Sequence, residues 1–186
     1  MDLSGEIAGQ PYGLAILNDS NYSFDALDGT LRVTLLRSPA YAHHDPARFD
    51  ATAGYPIMDQ GWHHMRFRLV PHEGSWQDAR VVKRAWELNL PLAAHVESAH
   101  PGRRPARATL IGTEAENVLL SVLKQSEEGE DLVVRGYEIS GRPAQTTLHI
   151  PHLKKSFELA FAPHEIKTVR INLDTWECRE TNLLEE

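Results

Sequence analysis

The stretch LRVTLLRSPAYAHHDPARFDATAGYPIMDQGWHHMRFRLVPHEGSW, residues 31–76, determines how the first half of the chain folds. Apolar and polar residues alternate at both of its ends. Alternation with a period of two is typical of strands that bury one face, so we expect strands over 31–36 and 65–69. The apolar residues of these expected strands are Leu31, Val33 and Leu35, and Met65, Phe67 and Leu69.

A long polar loop, 37–61, connects the two expected strands. It is longer than most connections in compact domains, and its prolines and glycines exclude regular structure over most of its length. Long loops between buried strands often carry functional residues. The candidate residues in this loop and at its C-terminal border are Arg37, His43, His44, Asp45, Asp59 and His63.

The segments before this stretch also predict strands. The apolar run YGLAILN, 12–18, ends at Asn18 and Asp19, whose side chains favour a turn, and it predicts a buried strand. A second candidate strand at 22–24 leads through Asp28-Gly29 into the strand at 31–36. Asp-Gly between alternating segments is a strong hairpin signal, so we expect a β-hairpin before the long loop.

One short helix is expected over 76–88, after the sequence PHEGSW. Ser75 can cap its first turn, and apolar residues then recur at helical spacing. These residues are Ala79, Val82, Ala85, Trp86 and Leu88. The following segment, LNLPLAAHVE, is broken by Pro91, so an edge strand or an extended crossing is expected there.

The linker-like sequence AHPGRRPARA predicts a domain boundary near Gly102, which separates residues 1–101 from residues 102–186. Turn signals in the second part recur about every ten residues, which is typical of a β-sandwich. We therefore predict an all-β chain with one helix. The expected strands of the second part are 109–111, 118–124, 132–139, 146–150, 157–161 and 168–173.

Composition excludes some classes of partner. The chain of 186 residues has 19 basic and 26 acidic residues, and its net charge of -7 disfavours nucleic acid and anionic membranes. Cys178 is the only cysteine, so no internal disulfide is possible and a reducing compartment is compatible. The first residues lack the features of a signal peptide, and no apolar run is long enough to span a membrane. We expect a cytoplasmic protein.

No constellation in the sequence specifies a reaction. The histidines lack the spacing of a structural zinc site, and adjacent His63 and His64 would point to opposite faces of a strand. Nucleotide-binding glycine motifs and a nucleophile elbow are absent, so no cofactor is expected in this chain. Asp59 could brace the loop or pair with Arg37, or it could simply form a turn. Trp62 and Trp76 could stack on a sugar, although packing roles are more common.

Several motifs resemble a known family. GLAILNDSNYSFDALDGTLRVTLLRSP, followed by MDQGWHHMRFRLVPHEGSW, resembles the C-terminal β-region of glycoside hydrolase family 38 α-mannosidases. ENVLLSVLKQSEEGEDLVVRGYEISG, PHEIKTVRI and the terminal ETNLLE resemble later segments of the same region. The matching segments follow in order along nearly the whole chain, but none matches the catalytic part of the family.

The resemblance implies a fold and a function. The first part would be the end of a mutarotase-like supersandwich, an antiparallel β-sandwich, and the second part a small β-sandwich. The chain would be the non-catalytic C-terminal portion of a zinc-dependent retaining α-mannosidase. The zinc, the nucleophile and the acid/base residue would lie in an α/β catalytic domain outside this chain, which would be the main partner. Arg37, Asp59 and His63 are the implied substrate-binding residues.

Two alternatives remain open at this point. The chain could be a free-standing carbohydrate-binding or mutarotase-like β-sandwich, which would need its own pocket with converging polar groups and an aromatic platform. It could also be a structural module that covers a catalytic domain and drives oligomer assembly.

Overall fold

The computed structural model describes residues 2–7, 9–40, 48, 50–103 and 105–186. The chain divides into two compact units, Met1–Ala93 and Ala94–Glu186. Strands dominate both units, and the described residues form one α-helix, which confirms the predicted all-β class. The domain limits 1–101 and 102–186 remain a prediction from the sequence.

The first unit contains a three-stranded antiparallel sheet and a separate two-stranded hairpin. The sheet has the order β1-β2-β5, with β2 in the centre. Its strands are β1 (Asp2–Ile7), β2 (Gln10–Asn18) and β5 (Phe67–Glu73), and the hairpin consists of β3 (Phe24–Leu27) and β4 (Thr30–Val33). Asp28 and Gly29 both adopt positive φ angles, 50° and 70°, which is the geometry that the Asp-Gly hairpin signal predicts.

The core of the first unit lies between the sheet and helix α1 (Val81–Asn89). Ala15 and Leu17 of β2 and Val70 of β5 face the helix and are buried. The prediction that Phe67 and Leu69 form the buried face of this strand is wrong, because Leu69 is 62% exposed. Both faces of β5 carry apolar residues, so alternation alone could not identify the inner one.

The helix begins later than the predicted range of 76–88. Ser75 does cap a turn, because its hydroxyl oxygen accepts a hydrogen bond from the Asp78 N–H at 3.2 Å. Arg80 then adopts a left-handed conformation with φ 53°, which breaks the helical path, so the regular helix starts at Val81. Val81 and Leu88 are the buried helix residues, whereas the predicted Val82 is only half-buried.

His72 of the PHEGSW motif has a buried side chain on the inner face of β5. Its Nε2 atom lies 2.8 Å from Asp2 Oδ1, and the histidine side chain is 5% exposed. The ring lies directly against Gly13, where an added Cβ would be only 2.2 Å from His72 Cε1. The glycine is therefore required by the close approach of the histidine ring.

We expect Gly13→Ala to destabilise the first unit by about 1 to 3 kcal/mol, because the new methyl group overpacks a closed site. The ring would have to move and would lose its hydrogen bond to Asp2. Gly5→Ala is the matched control, because no atom lies within 4 Å of its added Cβ. Thermal unfolding measures both variants. Equal melting temperatures for the two variants would show that the His72 ring moves aside without loss of stability.

The second unit is a β-sandwich of two antiparallel sheets, with strand orders β10-β9-β6 and β12-β11-β8-β7. Its strands are β6 (Gly112–Thr113), β7 (Val118–Gln125), β8 (Leu132–Glu138), β9 (Ala144–Ile150), β10 (Lys155–Phe161), β11 (Ile166–Ile171) and β12 (Cys178–Thr181). A 3₁₀ turn, Pro151–Leu153, separates β9 from β10. The SEEGED segment connects β7 to β8, between the positions of the strands expected at 118–124 and 132–139.

The sandwich core is built from the alternating residues of both sheets. Val134, Leu148, Ile150, Val169 and Ile171 form the main buried cluster, and Phe157 and Leu159 pack against it. Leu173 was the last residue of the strand expected at 168–173, but it lies beyond the end of β11 and is 39% exposed. The strand predicted at 109–111 is also displaced, because β6 begins at Gly112.

The terminal sequence ETNLLE forms a compact turn on this unit. The Asn182 Oδ1 atom accepts hydrogen bonds from the N–H groups of Leu184 at 2.8 Å and Glu186 at 3.1 Å. The buried Glu185 carboxylate accepts the Glu127 N–H at 2.8 Å and pairs with Lys124 at 2.6 Å. The motif thus ties the end of the chain to the β7–β8 connection.

Candidate functional site

The three predicted site residues line one open cleft in the first unit. Arg37, Asp59 and His63 all contribute to its wall, and its volume is about 470 Å³. The other lining residues are Ser20, Asn21, Tyr22, Ser23, Thr34, Leu35, Leu36, His64 and Met65. His43, His44 and Asp45, which the sequence also singled out, lie outside the described residues.

Three chain segments form the cleft. The first, 20–23, follows the central strand β2, and the second, 34–37, leaves the hairpin strand β4. The third, 59–65, leads into β5. All three segments border ordered strands, so the sheet and the hairpin fix where the cleft lies.

Backbone hydrogen bonds join these segments. The Thr34 N–H donates to the Ser23 carbonyl at 2.9 Å and connects the first segment to the second. The Met58 N–H donates to the Pro39 carbonyl at 2.9 Å and closes the base of the long loop. The first bond thus connects two of the cleft segments directly, and the second brings the residues that flank the other side of the cleft together.

The D-x-G-x-H motif forms a local turn. Asp59 has φ 53° and Gly61 has φ 129°, so the chain reverses sharply between them. The His63 Nε2–H then donates to the Asp59 carbonyl at 2.9 Å. The spacing of the motif is thus explained, because the His63 ring donates a hydrogen bond to Asp59, the residue at which the turn begins.

This geometry favours the turn-forming role of Asp59. Among the described residues, Asp59 and Arg37 make no ion pair with each other. The Asp59 main-chain carbonyl is occupied by His63, and Asp59 is one of the exposed residues that line the cleft. Arg37 is exposed at the same wall, so both charged groups can meet a ligand.

A salt bridge attaches the third segment to the sheet. The Asp19 carboxylate accepts the Arg66 Nε–H at 2.9 Å and the Arg66 backbone N–H at 3.2 Å. Desolvation raises the pKa of Asp19, but the hydrogen bonds from Arg66 outweigh it and hold the pKa below its usual value. The carboxylate therefore stays charged and holds the start of β5 against the end of β2.

Tyr22 is the aromatic residue of the cleft, and its side chain is largely exposed. No motif in the sequence marks Tyr22, whereas two tryptophans were candidates for stacking on a sugar. Trp76 is partly buried and packs against the core of the first unit, which favours the packing role over sugar stacking. Trp62 is 95% exposed beside His63 but is not among the lining residues of the cleft.

Other candidate centres lie in the second unit. Cys178 is half-buried, and burial raises the pKa of its thiol, which disfavours the reactive thiolate. In the part of the chain that the structure describes, no group of three His, Cys, Asp or Glu residues could hold a metal ion.

Among the described residues, Glu138 is the carboxylate that accepts the most hydrogen bonds, and it was not among the candidates from the sequence. Its side chain accepts bonds from the N–H groups of Ser140, Gly141 and His164 at 2.7 to 2.9 Å. It also accepts the Ser140 hydroxyl at 2.6 Å and the Asn117 amide at 2.9 Å. This carboxylate organises three connecting segments of the sandwich, so its role is structural.

Comparison with known proteins identifies the class of this fold. Residues 117–186 match the model of the glycosyl hydrolases family 38 C-terminal beta sandwich domain. The chain belongs to the C-terminal region of glycoside hydrolase family 38, which confirms the resemblance seen in its motifs.

Curated relatives cover most of this chain. Alpha-mannosidase 2C1 of Homo sapiens is 36% identical over 145 residues, which are 75% of this chain and 12% of that protein. Alpha-mannosidase G of Dictyostelium discoideum is 30% identical over 141 residues, which are 70% of this chain and 11% of that protein. The chain thus spans only about an eighth of the length of these relatives.

A solved structure shows the same fold. The crystal structure of an alpha-mannosidase from Enterococcus faecalis V583 superposes on 92% of this chain with a TM-score of 0.67. The sequence identity is 19%, and the match covers 21% of that chain. The match therefore extends over residues of both units and concerns the fold alone.

Proposed function

We propose that this chain is the non-catalytic C-terminal portion of a zinc-dependent retaining α-mannosidase that hydrolyses terminal α-mannosides. The observation that carries the proposal is its similarity to alpha-mannosidases along three quarters of its length, while it spans an eighth of theirs. The nucleophile, the acid/base residue and the zinc ion belong to the catalytic α/β domain of the enzyme.

The exposed apolar surface of the first unit supports packing on that domain. Helix α1 covers one face of the three-stranded sheet, whereas Phe67 and Leu69 are exposed on β5. The hairpin also exposes Phe24 and Leu27. A two-stranded hairpin alone is only marginally stable in water, so these apolar side chains should pack on a neighbouring domain.

The cleft supports a direct contribution to the sugar site. A guanidinium such as that of Arg37 offers several donors in a fixed plane, which suits adjacent sugar hydroxyls. The Asp59 carboxylate can accept hydroxyl protons, and the exposed face of Tyr22 can cover the apolar face of a pyranose ring. We assign these residues to substrate binding and orientation, with His63 holding the turn that presents Asp59.

The cleft also favours one alternative function. Converging polar groups beside an exposed aromatic ring are the features that a free-standing carbohydrate-binding module needs. A purely structural assembly module, acting within a homo-oligomer, would not need them.

We also propose a cytoplasmic location for the protein. As a separate finding, none of the helices that the structure describes is both long and apolar enough to cross a membrane.

The isolated chain should show no turnover of an aryl α-mannoside, with or without added zinc. The same region within the longer polypeptide that carries the catalytic domain should be active. Turnover that co-purifies with the isolated chain and disappears in Asp59→Asn or His63→Ala variants would contradict the proposal. Tight mannoside binding by the isolated chain, lost in Tyr22→Ala, would instead support the carbohydrate-binding module.

A further inference from the structure

We propose that Asn21 is the positioning residue for Arg37, an inference that rests on the proposed role of Arg37 at the sugar site. Arg37 lies in the second cleft segment, just beyond the end of β4 at Val33, and it is exposed. Its backbone therefore lacks the strand ladder that would fix the direction of a long side chain. Hydrogen bonds from other segments must therefore hold the backbone on either side of Arg37 in place.

Two hydrogen bonds fix the backbone on either side of Arg37. The Asn21 side-chain amide donates to the Leu35 carbonyl, two residues before the arginine. The Met58 N–H donates to the Pro39 carbonyl, two residues after it. The first of these bonds is donated by the Asn21 side chain. A mutation of Asn21 can therefore remove it without changing any residue of the segment that carries Arg37.

Asn21 also contacts the third cleft segment. Its amide nitrogen lies 3.4 Å from Met65 Sδ, so one NH₂ group reaches acceptors in both of the other cleft segments. An amide nitrogen carries two donor hydrogens, which suits this arrangement, whereas a carboxylate of the same shape carries none. Asn21 thus connects the segment that bears Arg37 to the segment that enters β5.

The position of Asn21 is in turn held by the sheet and the helix. The Asn18 side-chain amide, at the end of β2, donates to the Asn21 carbonyl. The Asn89 amide, at the end of helix α1, donates to the Asn18 carbonyl at 3.0 Å. The three asparagines therefore link the rigid core of the unit to the cleft.

Asn21→Asp is the test variant, because it keeps the shape of the side chain and removes both donor hydrogens. In the longer polypeptide with the catalytic domain, we expect kcat/KM for an aryl α-mannoside to fall about tenfold, as for a modest displacement of a binding group. The decrease should divide between kcat and KM as it does in Arg37→Ala. In the Arg37→Ala background, Asn21→Asp should have no further effect on kcat/KM.

Gln125→Glu is the matched control, because it removes an amide donor to the Gly129 carbonyl at 3.0 Å in the second unit and touches neither a cleft segment nor the three asparagines. It should leave the kinetics unchanged. If Asn21→Asp does not fold, Asn21→Ser supplies the same test with a side chain too short to reach Leu35. In the isolated chain, the amide NMR signals of 34–38 should shift in the Asn21 variant while those of the hairpin remain in place.

Three outcomes distinguish the proposed role of Arg37 at the sugar site from the proposed positioning role of Asn21. An Arg37→Ala variant with unchanged kcat/KM would overturn the role of Arg37 itself and, with it, this inference. A large effect of Arg37→Ala combined with a silent Asn21→Asp would overturn only the positioning role. An Asn21→Asp effect that persists undiminished in the Arg37→Ala background would also overturn it, because the asparagine would then act independently of the arginine.

Discussion

Glu138→Gln should destabilise the second unit by about 3 kcal/mol or more. One carboxylate oxygen accepts the Asn117 amide and both Ser140 donors, and the other accepts the N–H groups of Gly141 and His164. A glutamine has one acceptor oxygen, so its NH₂ group must face donors on one side. Each buried donor left unpaired costs about 1 to 3 kcal/mol. Urea unfolding of the chain measures the difference.

Glu158→Gln is the control for this change. Glu158 lies on the exposed side of β10 and accepts one hydrogen bond, from the Thr147 hydroxyl at 3.0 Å. The same substitution there should alter stability by less than about 0.5 kcal/mol. Similar unfolding midpoints for the two glutamine variants would mean that the buried donors find water or relax without cost.

The same carboxylate predicts how stability depends on pH. Burial raises the pKa of Glu138, but the hydrogen bonds led by the His164 N–H outweigh it and hold the pKa well below the ordinary value of 4.5. Because the folded-state pKa is lowered, its contribution is fully present above pH 4.5 and is lost as the pH falls below that value. The stability difference between wild type and Glu138→Gln should therefore shrink in acid.

The sequence located most strands of the second unit because turns and alternation agreed there. Phe157, Leu159, Val169 and Ile171, which alternate along the strands expected at 157–161 and 168–173, pack in the core. Strands β1 and β12 were not predicted, because DLSGEI and CRET are short and contain few apolar residues. They are strands because they pair with β2 and β11, and such pairing partners cannot be inferred from a local pattern.

Two errors in the first unit have local physical causes. The inner face of β5 was misassigned because Val70 follows Leu69 directly and both are apolar, so the pattern fits either register. The helix start was misassigned because the Ser75 cap serves a separate turn that ends at Arg80 in the left-handed conformation. Hydrophobic periodicity alone reveals neither the inner face of β5 nor the first residue of the helix.

Some residues of the candidate site could be predicted from the sequence, and others could not. Resemblance and motif spacing identified Arg37, Asp59 and His63, and the structure brings all three to one cleft. Tyr22 and Asn21 have no periodicity or motif that marks them, and they reach the cleft only because the hairpin folds beside the end of β2. Glu138 had a weak local signal, since a carboxylate before x-Ser-Gly can accept the N–H groups of the turn.

Arg37→Ala should lower kcat/KM roughly ten- to a hundredfold in the longer polypeptide that carries the catalytic domain. A charge-assisted hydrogen bond to a sugar hydroxyl is worth roughly 1.5 to 3 kcal/mol, and its loss acts on transition-state binding. The melting temperature should barely change, because Arg37 is exposed and makes no ion pair with Asp59 among the described residues. Steady-state kinetics on an aryl α-mannoside and thermal unfolding provide the two measurements.

Arg32→Ala is the matched control, because Arg32 is an exposed arginine only five residues away in the sequence. Its Nη1 atom lies 2.9 Å from Asp25 Oδ1 across the hairpin, and it is not among the cleft residues. Its removal should leave kcat/KM unchanged, since an exposed pair contributes about 0 to 1 kcal/mol to stability and nothing to the cleft. A clear fall in melting temperature for Arg37→Ala with unaltered kinetics would give Arg37 the structural role instead, and the cleft would then contribute no cation to the sugar site.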